Sequence, residues 1–227
     1  MMNINLFKSS VWVLLFFFLS VNSFAQINKF EPQVKGFVRQ DSIKRPQDGM
    51  ILLLGSSSFS RWKDVKSYFP DYYLLNRSFG GSVIPQLIYH AEDVIFRYKP
   101  VQILIYCGDN DIAVKTATPE EVAASYETLF NMIRKRLGEK VNITYVAIKP
   151  SPARKWNAPR VIATNQLIAN FIKKKSNANF VDVYQKMVDE KGEPLPDIFI
   201  SDNLHMNEKG YEIWKEALTP VLVKNKN

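Results

Sequence analysis

Short apolar segments alternate with amphipathic segments along most of the chain. Ile51-Leu52-Leu53-Leu54 lacks the polar alternation of a half-exposed strand, as expected for a sheet that is covered on both faces. Five segments have the length and the Ile, Val and Tyr content of buried strands: Met50–Leu54, Tyr72–Leu75, Val101–Tyr106, Asn142–Ile148 and Phe180–Val183. The pattern predicts five strands.

Segments with helical periodicity lie between and around these strands. Thr118-Pro119-Glu120-Glu121 is a capping box that begins one of them. His90 lies about 120° from the centre of its helix's apolar face, so we expect it on a solvated flank. A weaker helical face starts at Phe30. The clearer apolar stripes run over residues 84–95, 122–137, 161–172 and 211–218, the last of which Pro220 should interrupt.

Alternating strands and helices predict an α/β fold of parallel strands joined by right-handed crossovers, with helices on both faces of the sheet. In such folds ligands bind beyond the carboxyl ends of the strands. The residues that follow each strand are therefore the ones to inspect for chemistry.

The N-terminal residues resemble an export signal. Lys8 precedes nine apolar residues, Val11–Leu19, and Ser23-Phe24-Ala25 offers small residues where a signal peptidase reads. A spanning helix needs about 20 apolar residues, so a cleaved signal fits better than the alternative of an uncleaved anchor. We expect residues 1–25 to be a signal peptide and residues 26–227 to form a single domain. The mature protein should then be periplasmic or extracellular, without stable membrane insertion.

Composition excludes several classes of protein. The 227 residues are 46% hydrophobic and 13% aromatic, which excludes a disordered or collagen-like chain. The net charge of +8 is spread along the sequence, and no nucleic-acid partner is predicted. Two histidines and the single Cys107, expected to be buried, indicate no metal site. No phosphate loop or dinucleotide fingerprint is present, so no cofactor is predicted.

Four small polar blocks follow the strands or precede the last helix. They are Gly55-Ser56-Ser57-Ser58, Asn76 to Ser82 with its Gly80-Gly81 pair, Gly108-Asp109-Asn110-Asp111, and Asp202-Asn203-Leu204-His205. Each alone is common in turns and caps. Their order, and their expected convergence at one edge of a sheet, indicate a site.

These blocks resemble those of the SGNH hydrolases, the GDSL-like lipases and acylhydrolases, from about Met50 to Tyr211. The resemblance implies a three-layer α/β/α sandwich around a flavodoxin-like parallel five-stranded sheet. It also implies a Ser57 nucleophile, a His205 base oriented by Asp202, and an oxyanion hole formed by Ser57, Gly81 and Asn110. Ser56 differs from the acid that usually stands at its position.

The chemistry of the residues agrees with these roles. A serine hydroxyl needs a base within hydrogen-bond reach, and His205 lies in a polar turn whereas His90 lies within a helix. Asp202, three residues earlier, can orient the imidazole, although it could merely cap the turn. Asp111 is expected to brace Asn110. Ser56 and Ser58 are the alternative nucleophiles.

The resemblance and the residues together predict an exported serine esterase that hydrolyses short-chain acyl esters, chiefly acetyl esters on carbohydrate, through a Ser-His-Asp acyl-enzyme. The substrate would be a small-molecule or polysaccharide ester. A set of polar and aromatic residues could line a shallow sugar site: Arg61, Trp62, Tyr106, Trp156 and Arg160. The alternatives are a lysophospholipase or short-acyl lipid hydrolase, acyl transfer to a sugar hydroxyl, and a non-catalytic ligand-binding module on the same fold.

Overall fold

The computed structural model describes residues 28–224. The predicted signal peptide, residues 1–25, lies outside the described residues. Between residues 28 and 224, no helix is long and apolar enough to cross a membrane.

A five-stranded parallel sheet with the order β2-β1-β3-β4-β5 forms the centre of the fold. This is the flavodoxin-like order, and it confirms the predicted fold class. The strands are β1 Ile51–Gly55, β2 Leu74–Asn76, β3 Gln102–Tyr106, β4 Asn142–Val146 and β5 Ala178–Val181. β4 ends earlier than predicted because the Ile148 N–H donates to the side chain of Asn165 and not to a strand.

The predicted stripes form helices with one exception, and three short helices, over residues 57–60, 65–68 and 109–112, had no predicted stripe. Their bounds are α1 Glu31–Ile43, α2 Ser57–Ser60, α3 Val65–Tyr68, α4 Ile84–Tyr89, α5 Asp109–Ile112, α6 Pro119–Leu137, α7 Ala158–Ile172 and α8 Glu208–Leu218. The capping box at the start of α6 forms in both directions between Thr118 and Glu121. The stripe over residues 84–95 is not one continuous helix, because α4 gives way to a π-helical turn at Glu92–Phe96.

Each face of the sheet has its own apolar core. Leu52 and Leu54 point into one core with α1, α4, α6 and α7, whereas Ile51 and Leu53 point into the other with α2, α3 and α8. Successive residues of a strand face opposite sides of a sheet, so a strand between two helical layers must be apolar throughout. This explains the unbroken apolar sequence of β1.

Gly55 ends β1 in a conformation that only glycine adopts easily, with φ of +139°. A Cβ atom there would lie 1.8 Å from the carbonyl oxygen of Tyr106 on β3. The chain can therefore turn sharply out of the sheet at this point, where the Ser56 N–H donates to the same carbonyl at 3.0 Å.

The prediction for His90 was wrong. Its side chain is buried, with 4% of the residue exposed, and its ring meets the edge of Phe79. Its Nδ1 lies 3.8 Å from a carboxylate oxygen of Glu31, at the start of α1. His90 directly follows α4, and its angular position indicated solvent only because the periodicity of one helix does not reveal that α1 packs against the adjoining Glu92–Phe96 turn.

Candidate active site

The turn after β1 exposes one of three consecutive serines. Ser56 and Ser58 are 2% and 3% exposed, whereas Ser57, the first residue of α2, is only partly buried. The carbonyl of Ser58 accepts a hydrogen bond from the hydroxyl of Tyr211 on α8, at 2.9 Å. This bond ties the serine turn to the last helix. Of the three consecutive serines, Ser57 is the most accessible.

A tight turn before α8 carries His205. Its ends are joined by the antiparallel bridge between Phe199 and Met206 and by the hydrogen bond from the Ile200 N–H to the His205 carbonyl, at 2.8 Å. Inside it, one carboxylate oxygen of Asp202 accepts the N–H groups of Leu204 and His205, both at 2.9 Å. The carboxylate thus organises the backbone that presents the imidazole.

Ser57, His205 and Asp202 form one hydrogen-bonded series. Nε2 of His205 lies 3.0 Å from Oγ of Ser57, across 148 residues of sequence. Nδ1 of His205 lies 2.6 Å from the second carboxylate oxygen of Asp202. Asp202 therefore does more than cap the turn. An alcohol, an imidazole and a carboxylate in this order are the arrangement that activates a serine for acyl transfer.

The environment of Asp202 keeps it ionised. Desolvation raises the pKa of its carboxyl, but hydrogen bonds from the His205 N–H, the His205 ring and the Leu204 N–H lower the pKa by more in total. The pKa of the Asp202 carboxyl therefore lies well below its ordinary value, and the carboxylate is charged at neutral pH.

The other two blocks meet at the same edge of the sheet. Gly81 is exposed, with φ of +84°, and among residues 28–224 no acceptor takes its N–H or that of Ser57. The preceding Gly80 packs against Ser57, since a Cβ atom on it would lie 3.8 Å from the Ser57 Cβ. Nδ2 of Asn110, at the start of α5, donates to Ser56 Oγ at 2.8 Å and to the Ser82 carbonyl at 3.1 Å. The residues predicted for the site are therefore brought together.

The position of this site in the fold is the one expected for a ligand. Ser57 follows β1 and Asn110 follows β3, and the strand order reverses between these neighbours. Open parallel sheets bind ligands at such a point, beyond the carboxyl ends of the strands.

Comparison with known proteins identifies the family. The sequence profile of the GDSL-like Lipase/Acylhydrolase family matches residues 48–213, which include all four blocks. The chain belongs to this family. It is an acylhydrolase that acts on ester bonds. No curated protein matches the chain at a significant level of sequence similarity.

Solved structures share the fold of this acylhydrolase at low sequence identity. A platelet activating factor candidate from Streptococcus pneumoniae is 17% identical, with a TM-score of 0.75 over 90% of this chain and 99% of that chain. A GDSL-like lipase from Bacteroides thetaiotaomicron is 16% identical, with a TM-score of 0.67 over 87% and 97%. A variant of an acetylxylan esterase from Geobacillus stearothermophilus is 13% identical, with a TM-score of 0.61 over 78% and 95%.

Arg154 is a residue of the acylhydrolase site that the sequence did not reveal. It lies in a 3₁₀ segment, Pro152–Asn157, that follows β4. Its guanidinium donates to Oδ1 of Asn110 at 2.9 Å, and also to the carbonyl and a carboxylate oxygen of Asp109. Arginines are too frequent on surfaces for one of them to be singled out without a motif.

Asp111 does not brace Asn110 directly, contrary to the prediction. One of its carboxylate oxygens accepts the Ile84 N–H at 2.9 Å, at the start of α4, and the other is buried without a partner among the described residues. Burial raises the pKa of Asp111 to about 6. Asp111 therefore ties α5 to the helix that follows the Gly80-Gly81 turn of the acylhydrolase.

Lys149 is a buried residue that contacts the His205 turn, and the sequence did not reveal it either. It is 2% exposed, and its Nζ donates to the Leu204 carbonyl at 2.6 Å. Burial lowers the pKa of Lys149 to about 8. This hydrogen bond fixes the residue that precedes the imidazole.

The residues expected to line a sugar site divide into two groups. Trp62 and Tyr106 are each 1% exposed and belong to the core, and Arg160 is engaged by Asn157 Oδ1 and by backbone carbonyls. Trp156 is 57% exposed and Arg61 is also exposed, so these two remain accessible. Among residues 28–224, no cluster of three His, Cys, Asp or Glu side chains could hold a metal ion.

Proposed function

We propose that the chain is an exported serine esterase that removes short acyl groups, chiefly acetyl, from carbohydrate hydroxyls by way of an acyl-enzyme. The observation that carries the proposal is the series from Ser57 Oγ to His205 Nε2, at 3.0 Å, and from His205 Nδ1 to Asp202, at 2.6 Å. A group meant only to bind an ester would not need a base and an orienting carboxylate aligned on its hydroxyl.

Ser57 is the nucleophile in the first half of the reaction. Its oxygen bonds to the acyl carbon while its proton passes to Nε2 of His205, and Asp202 stabilises the resulting imidazolium. The tetrahedral intermediate then collapses. The bond between the acyl carbon and the alcohol oxygen breaks, and the alcohol leaves with the proton from His205.

Water completes the reaction. His205 takes a proton from the water molecule as its oxygen attacks the acyl carbon, and it returns that proton to Ser57 Oγ when the second intermediate collapses. The products are the free acid and the original serine. A sugar hydroxyl in place of water would give acyl transfer by the same steps.

Three donors would stabilise the oxyanion in both halves: the N–H groups of Ser57 and Gly81, and the amide of Asn110. In the free protein, Nδ2 of Asn110 donates one of its hydrogens to the Ser82 carbonyl and the second to the Ser56 hydroxyl. The second hydrogen would be shared with the substrate oxygen, since a hydroxyl such as Ser56 can rotate to other partners. The carboxylate usual at position 56 would hold that hydrogen more strongly.

The small, polar surroundings of Ser57 favour a short acyl group. Trp156, exposed on the segment that carries Arg154, offers an aromatic face on which a sugar ring would pack. The fold similarity to an acetylxylan esterase agrees with this choice. Export would bring the enzyme into contact with polysaccharide, and the sequence of residues 1–25 supports it.

A fluorophosphonate probe should label Ser57 in the exported protein, because the probe reacts with serines activated by a neighbouring base. Peptide mass spectrometry would identify the labelled residue, and the intact mass would show whether residues 1–25 are removed. Ser57→Ala should abolish labelling, whereas Ser56→Ala should retain it. Labelling that persists in Ser57→Ala would refute the assignment of the nucleophile.

The substrate class is tested by the acid released from matched esters. We expect acetate release from acetylated xylan or pectin to exceed release of fatty acid from lysophospholipid, because the exposed Trp156, on the segment that carries Arg154, would contact a sugar ring. Acetylated peptidoglycan would extend the panel. Faster hydrolysis of lysophospholipid would contradict the carbohydrate assignment and favour the lipid alternative.

A further inference from the structure

We propose that Arg154 is a positioning residue that holds the Asn110 amide with its N–H groups toward the reacting carbonyl and strengthens them as donors. This inference rests on the proposed role of Asn110 in the oxyanion hole. Arg154 itself need not touch the substrate.

The segment that carries Arg154 is fixed against the active site. The Ala153 N–H donates to the Asn203 carbonyl at 3.0 Å, inside the turn of Asp202 and His205. The Arg154 N–H donates to the Ser151 carbonyl at 3.1 Å, and its side chain is 21% exposed. The segment that is bonded to the His205 turn therefore places the guanidinium against the loop that follows β3.

The guanidinium forms hydrogen bonds with two consecutive residues of that loop. Nη1 donates to the Asp109 carbonyl at 2.9 Å and pairs with its carboxylate at 2.7 Å, while Nη2 donates to Asn110 Oδ1 at 2.9 Å. The Asp109 side chain is only 12% exposed, so the pair is little screened by water. A rigid planar fork suits this set of contacts better than the single ammonium of a lysine.

An arginine decides which end of an amide faces it. A guanidinium has only donors, so it can meet Oδ1 of Asn110 but not Nδ2. The opposite end, with both N–H groups, must then point toward Ser56, Ser82 and the nucleophile. A flipped amide would present an oxygen to the oxyanion, and the donor would become a repulsive group.

The same contact makes the amide a stronger donor. The positive guanidinium beside Oδ1 draws electron density from the amide nitrogen, and hydrogen bonds in such a chain reinforce one another. The effect grows when negative charge develops on the substrate oxygen. Arg154 should therefore influence kcat more than KM.

A double-mutant cycle with Asn110 tests the inference on p-nitrophenyl acetate. We expect Arg154→Ala to lower kcat by about 10–100-fold, as part of the contribution of one oxyanion donor, with KM within about threefold. In an Asn110→Ala background, Arg154→Ala should cost no more than about threefold further, because residues that act through one another are not additive. Guanidinium at about 50 mM should restore part of the kcat of Arg154→Ala, and none of that lost in the double variant.

The control for lost folding is Arg134→Met, since Arg134 also braces backbone carbonyls, those of Ser176 and Asn177, at the far edge of the sheet. It should lower the free energy of unfolding and leave kcat unchanged. An equal loss from Arg154→Ala in both backgrounds, or a rise in KM at constant kcat, would overturn the role of Arg154 alone. No loss from Asn110→Ala would overturn the oxyanion assignment and this inference together.

Discussion

His205→Ala should lower the turnover of p-nitrophenyl acetate by about 10⁴-fold or more, with KM little changed. Nε2 of His205 is 3.0 Å from Ser57 Oγ, and no other imidazole is available to take the serine proton, since His90 is buried beside α1. The same variant should lose fluorophosphonate labelling at Ser57. Steady-state kinetics and labelling rates therefore both measure the activation of Ser57 by His205.

The matched control is the other histidine. His90→Gln should keep turnover within a few-fold, because this side chain contacts Phe79 and Glu31 and not the serine turn. Glutamine is preferable to alanine there, since alanine would leave a cavity in a buried position. Residual turnover in His205→Ala within tenfold of the parent protein, or a large loss in a folded His90→Gln, would refute the base assignment.

Asn110→Ala should lower kcat by about 10²–10³-fold and change KM little, because the amide donates to charge that develops only in the transition state. Asn110→Asp should be at least as damaging. Aspartate keeps the shape and gains an ion pair with Arg154, but it replaces the donor with an acceptor. The two variants thus separate loss of the side chain from loss of the N–H groups.

Asn170→Ala, an exposed amide on α7, provides the control for a nonspecific effect of removing asparagine. It should leave both constants unchanged. If Asn110→Ala raised KM and left kcat unchanged, the amide would bind the substrate equally in the ground state and the transition state, and the oxyanion role would be wrong.

The fold and the pieces of the site were predictable because each depends on local pattern. Apolar segments of strand length and the capping box at Thr118 predicted the layers of the sandwich. Three polar blocks lie at strand ends, which a parallel sheet brings to one edge, and the fourth lies in the turn before the last helix. Ser57 and His205 meet there although 148 residues separate them. Family resemblance added the role proposed for each residue.

The errors and omissions concern contacts between elements. The burial of His90 depends on α1, whose periodicity is separate from that of α4. Trp62 and Tyr106 lie in the core because α8 covers that face of the sheet, as their ring contacts with Trp214 show. Arg154 and Lys149 reach across loops that are distant in sequence. The pattern of apolar residues within one segment does not reveal contacts with another segment.

The close approach of Gly55 to Tyr106 separates two kinds of constraint within the first block. Any side chain at position 55 would collide with the neighbouring strand, so architecture alone demands glycine there, whether or not a reaction takes place. The side-chain oxygen at position 56 accepts a hydrogen bond from the Asn110 amide, and a hydroxyl serves there in place of an acid. When proteins of this architecture are compared, a glycine at position 55 therefore indicates only that the backbone follows the same path. The pair of residues at positions 56 and 110 indicates whether the oxyanion donor is retained.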